Sequence, residues 1–167
     1  MAINKKKYSF RKYKFWYNYL FNKEKSRLQK IFPSAKIEHI GSTSVPRLGG
    51  KGIIDIMLGL DKKTWEGARS TLLKKDYLEM ENTSDESRIG LKKDYGWGPF
   101  KRRVHIHLTF INSIHWKETL NFKKRLLQNK DLCSQYEKIK KEAVRMAKGN
   151  GDIYRKYKSK FIKKYSK

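Results

Sequence analysis

The succession of segments predicts an α+β (α/β) fold: a mixed β-sheet covered by helices, with a helical C-terminal third. Three observations carry the prediction. Two β-branched runs, KIEHI at 36–40 and GIIDIMLGL at 52–60, lie close together and are bounded by turn residues. YLEMEN, RIGLKKD and RRVHIHLTF follow as further strand candidates. Beyond residue 115 the apolar residues recur at helical spacing.

Taken in order, Tyr17, Phe21, Leu28 and Ile31 fall on one face of a helix over 14–31, which Pro33-Ser34 ends. Trp65, Ala68, Leu72 and Leu73 form the stripe of a second helix over 64–76, with Asp61 or Thr64 available as its cap. Polar NTSDES and turn-rich GWGPF interrupt the middle strands. Residues 115–129 and 131–148 make two more helices. The second carries Leu132, Tyr136, Ile139, Ala143 and Met146 near one face and stops at Gly149-Asn150-Gly151. A last helix runs over 152–165, with Asp152 as its N-cap and Tyr154, Lys158 and Phe161 on one side.

With 167 residues the chain reads as a single domain, 1–167, which begins with a basic N-terminal segment over 1–12. No apolar run is long enough to span a bilayer and no secretory leader is recognisable, so a soluble cytoplasmic protein is expected. The single cysteine, Cys133, is expected to behave as a small hydrophobe on a helix face. The charge is large: 41 Lys+Arg against 16 Asp+Glu leave +25, of which residues 1–30 and 137–167 together hold +18. Such a surface suits a polyanion, whether nucleic acid, a nucleotide or an anionic membrane face. A lysine-biased composition with solvated helix faces gives the same number. Arg102 and Arg103 beside Trp97 and Phe100 are the candidates for stacking on nucleic acid bases.

The chemistry is concentrated in EHIGSTSVPRLGGKGIIDIMLGL, residues 38–60. It is not a P-loop, because Gly41 to Gly50 is too long for G-x4-G-K and Lys51 is followed by Gly52. Gly41 permits close backbone approach, and Ser42, Thr43 and Ser44 offer hydroxyls and amides to a phosphate, with Lys51 as a point charge. Alternation puts Ile54, Ile56, Leu58 and Leu60 on one face of the strand and Asp55 with Met57 on the other. Asp55 fits a Mg²⁺ shared with substrate phosphates; it equally fits a salt-bridged residue beside an ordinary turn. Along RVHIHLTF the same alternation groups Arg103, His105, His107 and Thr109, so His107 becomes a candidate base, ligand or phosphate donor if that face looks toward Asp55. Histidines satisfied by neighbouring carbonyls are the plain alternative. Glu38 is expected to pair with a nearby cation and His39 to pack.

This stretch closely resembles the signature of the GrpB family, of the form EHIGSTSVPGLAAKPIID. The likeness continues in VHIHLTF (104–110), WKETLNFKK (116–124), SQYEKIKKEA with its Y-x-x-x-K spacing (134–143), and IYRKYKSKFI with its Y-x-x-x-K-x-x-F spacing (153–162). The family in turn resembles minimal nucleotidyltransferases of the DNA polymerase β superfamily. That resemblance implies a nucleotidyltransferase-like sheet and a transferase of phosphorus-containing groups. It implies an NTP or another phosphate-bearing ligand at Gly41, Ser42, Thr43, Ser44 and Lys51, possible Mg²⁺ on Asp55, and catalysis involving Asp55 and His107. Lys158 would reach a phosphate from the last helix. Met57 stands where a second metal-binding acid would point, and a thioether is a poor ligand for a hard cation. A catalytically reduced fold that binds RNA, nucleotide or a coenzyme-A-like phosphate is therefore the other reading. The family's Gly after Val-Pro is Arg47 here, its Pro after Lys is Gly52, and its Arg-Asp pair is Lys123-Lys124.

Overall fold

A computed structural model describes residues 9–81, 83–96 and 101–167. Its elements run α1 (Tyr17–Ile31), β1 (Lys36–Ile40), a 3₁₀ turn (Ser42–Ser44), β2 (Ile54–Leu60), α2 (Trp65–Leu73), β3 (Leu78–Glu79), β4 (Arg88–Tyr95), β5 (Arg102–Phe110), α3 (Ile114–Gln128), α4 (Lys130–Ala147) and α5 (Gly151–Ser166). The sheet order is β1-β2-β5-β4-β3. Only β2 and β5 are parallel neighbours; the other pairs are antiparallel. The mixed sheet and its helical cover are thus as the sequence predicts. The YLEMEN strand shrinks to two residues, and Trp97 and Phe100 lie outside the described residues.

Register sorts the side chains. Ile54, Ile56, Leu58 and Leu60 of β2 join Val104, Ile106 and Leu108 of β5, and Ile89 and Leu91 of β4, in one apolar face. Tyr17, Phe21 and Leu28 of α1 and Ala68 and Leu72 of α2 cover that face. The opposite face carries Asp55 beside His105, and Met57 beside His107. Trp116 of α3 packs with Met57 and Ile40 over part of it. Val45 and Leu48, from the loop after the 3₁₀ turn, pack with Phe122 and Leu126 of α3 and Leu132 and Tyr136 of α4. That cluster fastens the C-terminal helices to the β1–β2 connection.

Caps explain where the helices begin. Ser113 accepts from the Trp116 amide at 3.1 Å and Asn129 from Leu132 at 2.9 Å, which divides α3 from α4. Asn150, not Asp152, caps α5, accepting from the amides of Asp152 and Ile153 at 2.9 and 3.2 Å. Asp152 sits inside the first turn and pairs with Arg155. Thr64 occupies the N-cap position of α2, but its hydroxyl donates to the Asp61 carbonyl at 3.0 Å. On α4 the inward stripe is Leu132, Tyr136, Lys140, Ala143 and Ala147; Met146 is exposed. A lysine takes the place that periodicity assigns to an apolar residue.

Candidate functional site

The β1–β2 connection builds the first wall of the site. Gly41 has φ +70°, and a Cβ there would run into the Asp55 carboxylate, so the turn closes onto the acid only because residue 41 is glycine. Ser44 spends its hydroxyl on the Gly41 carbonyl at 2.7 Å. Thr43 donates to the Ile53 carbonyl at 2.9 Å and lies 3.0 Å from His39 Nε2. Because the single Thr43 proton is used on Ile53, His39 must be the donor, which fixes its Nε2–H tautomer. Burial, then Lys123, push the His39 pKa down to about 4, and its ring lies flat on Phe21 with centroids 4.5 Å apart. Glu38 has no ion pair among the described residues.

Of the predicted phosphate donors, Gly41, Ser42 and Lys51 line a cavity of about 740 Å³, whereas the Thr43 and Ser44 hydroxyls turn inward to hold the turn. The leading amides of a helical turn have no intrahelical acceptor, so those of Ser42 and Thr43 are the ones an anion can use.

Asp55 forms the floor. His105 Nδ1 is 3.4 Å and His107 Nε2 3.7 Å from Asp55 Oδ1, and each of the three side chains is roughly one-fifth exposed. Burial alone would raise the Asp55 pKa, but the two imidazoles outweigh it and hold the carboxyl far below the usual range. The face of β5 therefore does look toward Asp55.

The helices supply cations. Lys51 Nζ lies 4.2 Å and Lys158 Nζ 4.6 Å from the centroid of the Tyr154 ring. Burial and then Lys158 lower the Lys51 pKa to about 7, and burial lowers Lys158 as well. Lys140, 2% exposed, donates to the Gly49 carbonyl with its ammonium 4.9 Å from the Tyr136 ring centroid; burial and then Lys158 bring its pKa to about 7. Glu137 accepts from the Gly49 amide at 3.2 Å, so one helix grips both backbone groups of that residue. Sequence reasoning passed over Lys140 as a site residue. Its signal was the doubled Y-x-x-x-K spacing, Tyr136/Lys140 and Tyr154/Lys158, which sets each ammonium near the ring one turn back.

Nine Lys or Arg against five Asp or Glu line the cavity, so an anion is the ligand its walls favour. The other sequence candidates divide between the cavity wall, where Arg103 lies, and its surroundings. Arg103 makes a two-pronged pair with Asp94 at 2.6 and 2.7 Å, and Arg102 lies 5.2 Å from the Tyr95 ring centroid. Lys123 lines the cavity, while Lys124 is exposed. Cys133 is half-buried beside the Val45–Tyr136 cluster, and burial raises its pKa, which suits a packing residue.

The donor set around Asp55 does not match Mg²⁺. One carboxylate with two imidazoles does not make an oxygen cage, Met57 is fully buried under Trp116, and no group of three or more His, Cys, Asp or Glu among the described residues could hold a metal. The described residues do not make a Mg²⁺ site by themselves.

A family model described as GrpB protein matches residues 9–167. The chain is 25% identical over 145 residues to a UPF0157 protein of Vibrio cholerae, covering 87% of this chain and 73% of that one. It is 25% identical over 147 residues to the glutamate-rich protein GrpB of Alkalihalophilus pseudofirmus, covering 86% and 84%. The structure of the conserved protein GrpB from Enterococcus faecalis superimposes with a TM-score of 0.71 at 27% identity, over 95% of this chain and 100% of that one. The Cid1 poly(U) polymerase bound to MgATP gives a TM-score of 0.46 at 14% identity, over 78% and 45%, a likeness too slight to bear on function. No helix among the described residues is long and apolar enough to cross a membrane. The EHIGSTSVP turn and the paired Y-x-x-x-K helices that enclose Asp55 thus occur in a chain that belongs to the GrpB family.

Proposed function

We propose that the cavity binds the polyphosphate of a nucleoside triphosphate and that the protein transfers the nucleotidyl group to an acceptor hydroxyl. One observation carries the reading: a single carboxylate, Asp55, lies beneath the Gly41-Ser42 turn in a cavity also walled by Lys51, Lys140 and Lys158. The amides of the turn and the lysines match an extended anion. Asp55 would hold a Mg²⁺ carried in by the nucleotide, which would supply charge neutralisation at the phosphates. In the transfer, the acceptor oxygen bonds to the α-phosphorus as the bond to pyrophosphate breaks, and His107 takes the hydroxyl proton. Lys51 and Lys158 stay with the departing pyrophosphate.

Thermal unfolding with each nucleoside triphosphate, with and without Mg²⁺, tests the binding step. Ligand at about 100 times its Kd adds about 2.7 kcal/mol of stability. Asp55→Asn is expected to remove the Mg²⁺-dependent part of that gain and to leave metal-free pyrophosphate binding equal or tighter, because a repelling carboxylate is gone. No stabilisation by any nucleotide in either condition would overturn the reading. A second reading, a binding module without catalysis, draws on Met57 lying buried where a second acid would be needed. Nucleotide binding without pyrophosphate release across a panel of acceptors would favour it. A nucleic-acid track is less well supported, because α1, with its own cations, packs on the opposite sheet face from α3 and the helices bundled with it.

A further inference from the structure

The cavity does not end at Asp55. From the turn it runs across the sheet face, past His105 and His107 on β5, to β4. Gly90 of β4 lies opposite His107 in register. A Cβ on Gly90 would come within 2.8 Å of the Thr83 Cβ, so the chain after β3 folds down onto this spot. Arg88 and His115 stand at the same end and line the cavity.

Two buried side-chain polar atoms among the described residues have no hydrogen-bond partner, Arg88 Nε and His115 Nε2. Elsewhere in the interior the polar groups are matched: Glu24 with two tyrosines, His39 with Thr43, Thr109 with Ser87, Lys140 with Gly49. Unmatched buried polar atoms are uncommon in folded proteins, and two beside one cavity call for a shared explanation. Arg88 is also held in place. Its Nη2 is 3.3 Å from Asp85 Oδ2, and Asp85 Oδ1 accepts from the Ser87 amide and hydroxyl at 2.9 and 2.8 Å. His115 faces His107 with ring centroids 6.1 Å apart, and burial, then Arg88, lower its pKa to about 4, so the ring is neutral near pH 7.

The charge at this end differs from that beside Lys51. Arg88 is offset by Asp85, His115 is uncharged, and Glu118 is close by on α3. Lys92 of β4 is a further cation there, with Glu79 and Glu81 as acids nearby, so a polyphosphate finds little net positive charge to neutralise it. A single carboxylate meets a guanidinium with a donor to spare and an imidazole that bonds a neighbouring hydroxyl or carboxylate oxygen.

We infer that the β4 end of the cavity is the acceptor site and that its ligand is a small hydroxycarboxylate, the carboxylate on Arg88 and His115 and the hydroxyl directed past His107 toward Asp55. One ligand carboxylate would supply an acceptor to each of the two orphaned nitrogens. The identification of this ligand as acceptor rests on the nucleotidyl-transfer reading above; the existence of a carboxylate site does not.

The test uses the full isotope-labelled chain, with glycolate and pyrophosphate as probes and NMR signals of the Arg88 Nε–H and the His115 ring as readout. Glycolate is expected to shift both signals saturably, with and without pyrophosphate present. Arg88→Lys and His115→Phe should each weaken glycolate about tenfold or more while leaving pyrophosphate within about twofold, a tenfold change being about 1.4 kcal/mol. His115→Gln, which keeps a side-chain donor, should retain most glycolate binding and so separates a lost hydrogen bond from a damaged fold. Three results would overturn the inference: no shift at these two residues, competition between glycolate and pyrophosphate for one site, or tighter binding of inorganic phosphate than of glycolate at Arg88. If pyrophosphate binds while glycolate does not, the nucleotide reading survives alone. If glycolate binds and neither pyrophosphate nor any nucleotide does, the carboxylate site stands and the transfer reading falls.

Discussion

The two faces of one sheet use the same strands for opposite ends. On the face under α1 and α2, each buried residue of β2 and β5 is aliphatic. The one buried carboxylate of that layer, Glu24, accepts from the hydroxyls of Tyr77 and Tyr95 and from Arg27 Nη1 at 3.2 Å. On the face under α3 to α5, the alternate positions carry Asp55 on β2 and His105 and His107 on β5, and nine Lys or Arg against five Asp or Glu line the cavity above them. A charge that is fully paired is a structural element; an excess of one sign facing a cavity is a demand for a ligand. Met57 belongs to the second face by register and to the first by chemistry, since Trp116 and Ile40 seal it from the cavity.

Met57→Asp gives the sharpest break in that comparison and the largest expected effect. If the whole face were a polar site, a second acid would be tolerated and would strengthen Mg²⁺-dependent nucleotide binding. Because the position is closed, we expect instead an unpaired buried carboxylate and a loss on the order of 3–5 kcal/mol. Denaturant unfolding measures it. Unchanged stability together with tighter Mg²⁺ binding would contradict the assignment of Met57 to the core.

The next effect concerns pH. Lys51 and Lys140 have pKa values of about 7, well below that of a lysine in water, with burial the chief cause. Between about pH 7 and the usual lysine value the unfolded chain holds more protons than the folded one, so these two groups make stability rise with pH across that window. Anion binding needs the charged amine and runs the other way. Pyrophosphate affinity should fall above neutral pH by up to about tenfold per pH unit for each lysine that must be charged. Lys51→Arg keeps its charge at every accessible pH and should flatten the curve. Titration calorimetry across the neutral range measures both; a pH-independent affinity in the wild-type chain would remove the lysines from the anion site.

Strand alternation made much of this legible in advance. It assigned Asp55, Met57, His105 and His107 to one face and the aliphatic residues to the other, because period-two patterning survives in any sheet. What alternation could not supply was the partner across the gap. Trp116 lies in another element, so nothing near Met57 announces that the position is sealed. Thr43 and Ser44 read as phosphate donors by residue type, and their inward hydrogen bonds depend on the fold of the whole β1–β2 connection. Lys140 was hidden by a rule that expects apolar residues on the inner stripe, and Asp152 lost the cap to Asn150 by two residues, a shift no propensity scale resolves. Arg88 and His115 gave no signal, since they meet only when β4 and α3 pack on the same cavity.

The smallest effect lies where this chain departs from the family signature beside the turn. Gly52 has φ +73°, a conformation proline cannot adopt, so the loop after Lys51 does not follow the path that the family's proline would dictate. Arg47, where the signature has glycine, also sits in the left-handed region at φ +69° and is exposed. A left-handed residue with a Cβ costs roughly 1–2 kcal/mol, and glycine gives back about 0.5–1 kcal/mol through the greater freedom of its unfolded chain. Arg47→Gly should therefore raise stability by about 0.5–1 kcal/mol, or about 1–4 °C in melting temperature for a chain of this size. Arg47→Ala removes the same charge but keeps the Cβ, so it should gain nothing. Equal gains from the two substitutions would trace the effect to relief of the crowded positive surface and not to the backbone. Pyrophosphate affinity should stay within about twofold in both, because Arg47 lies outside the walls of the Asp55 cavity.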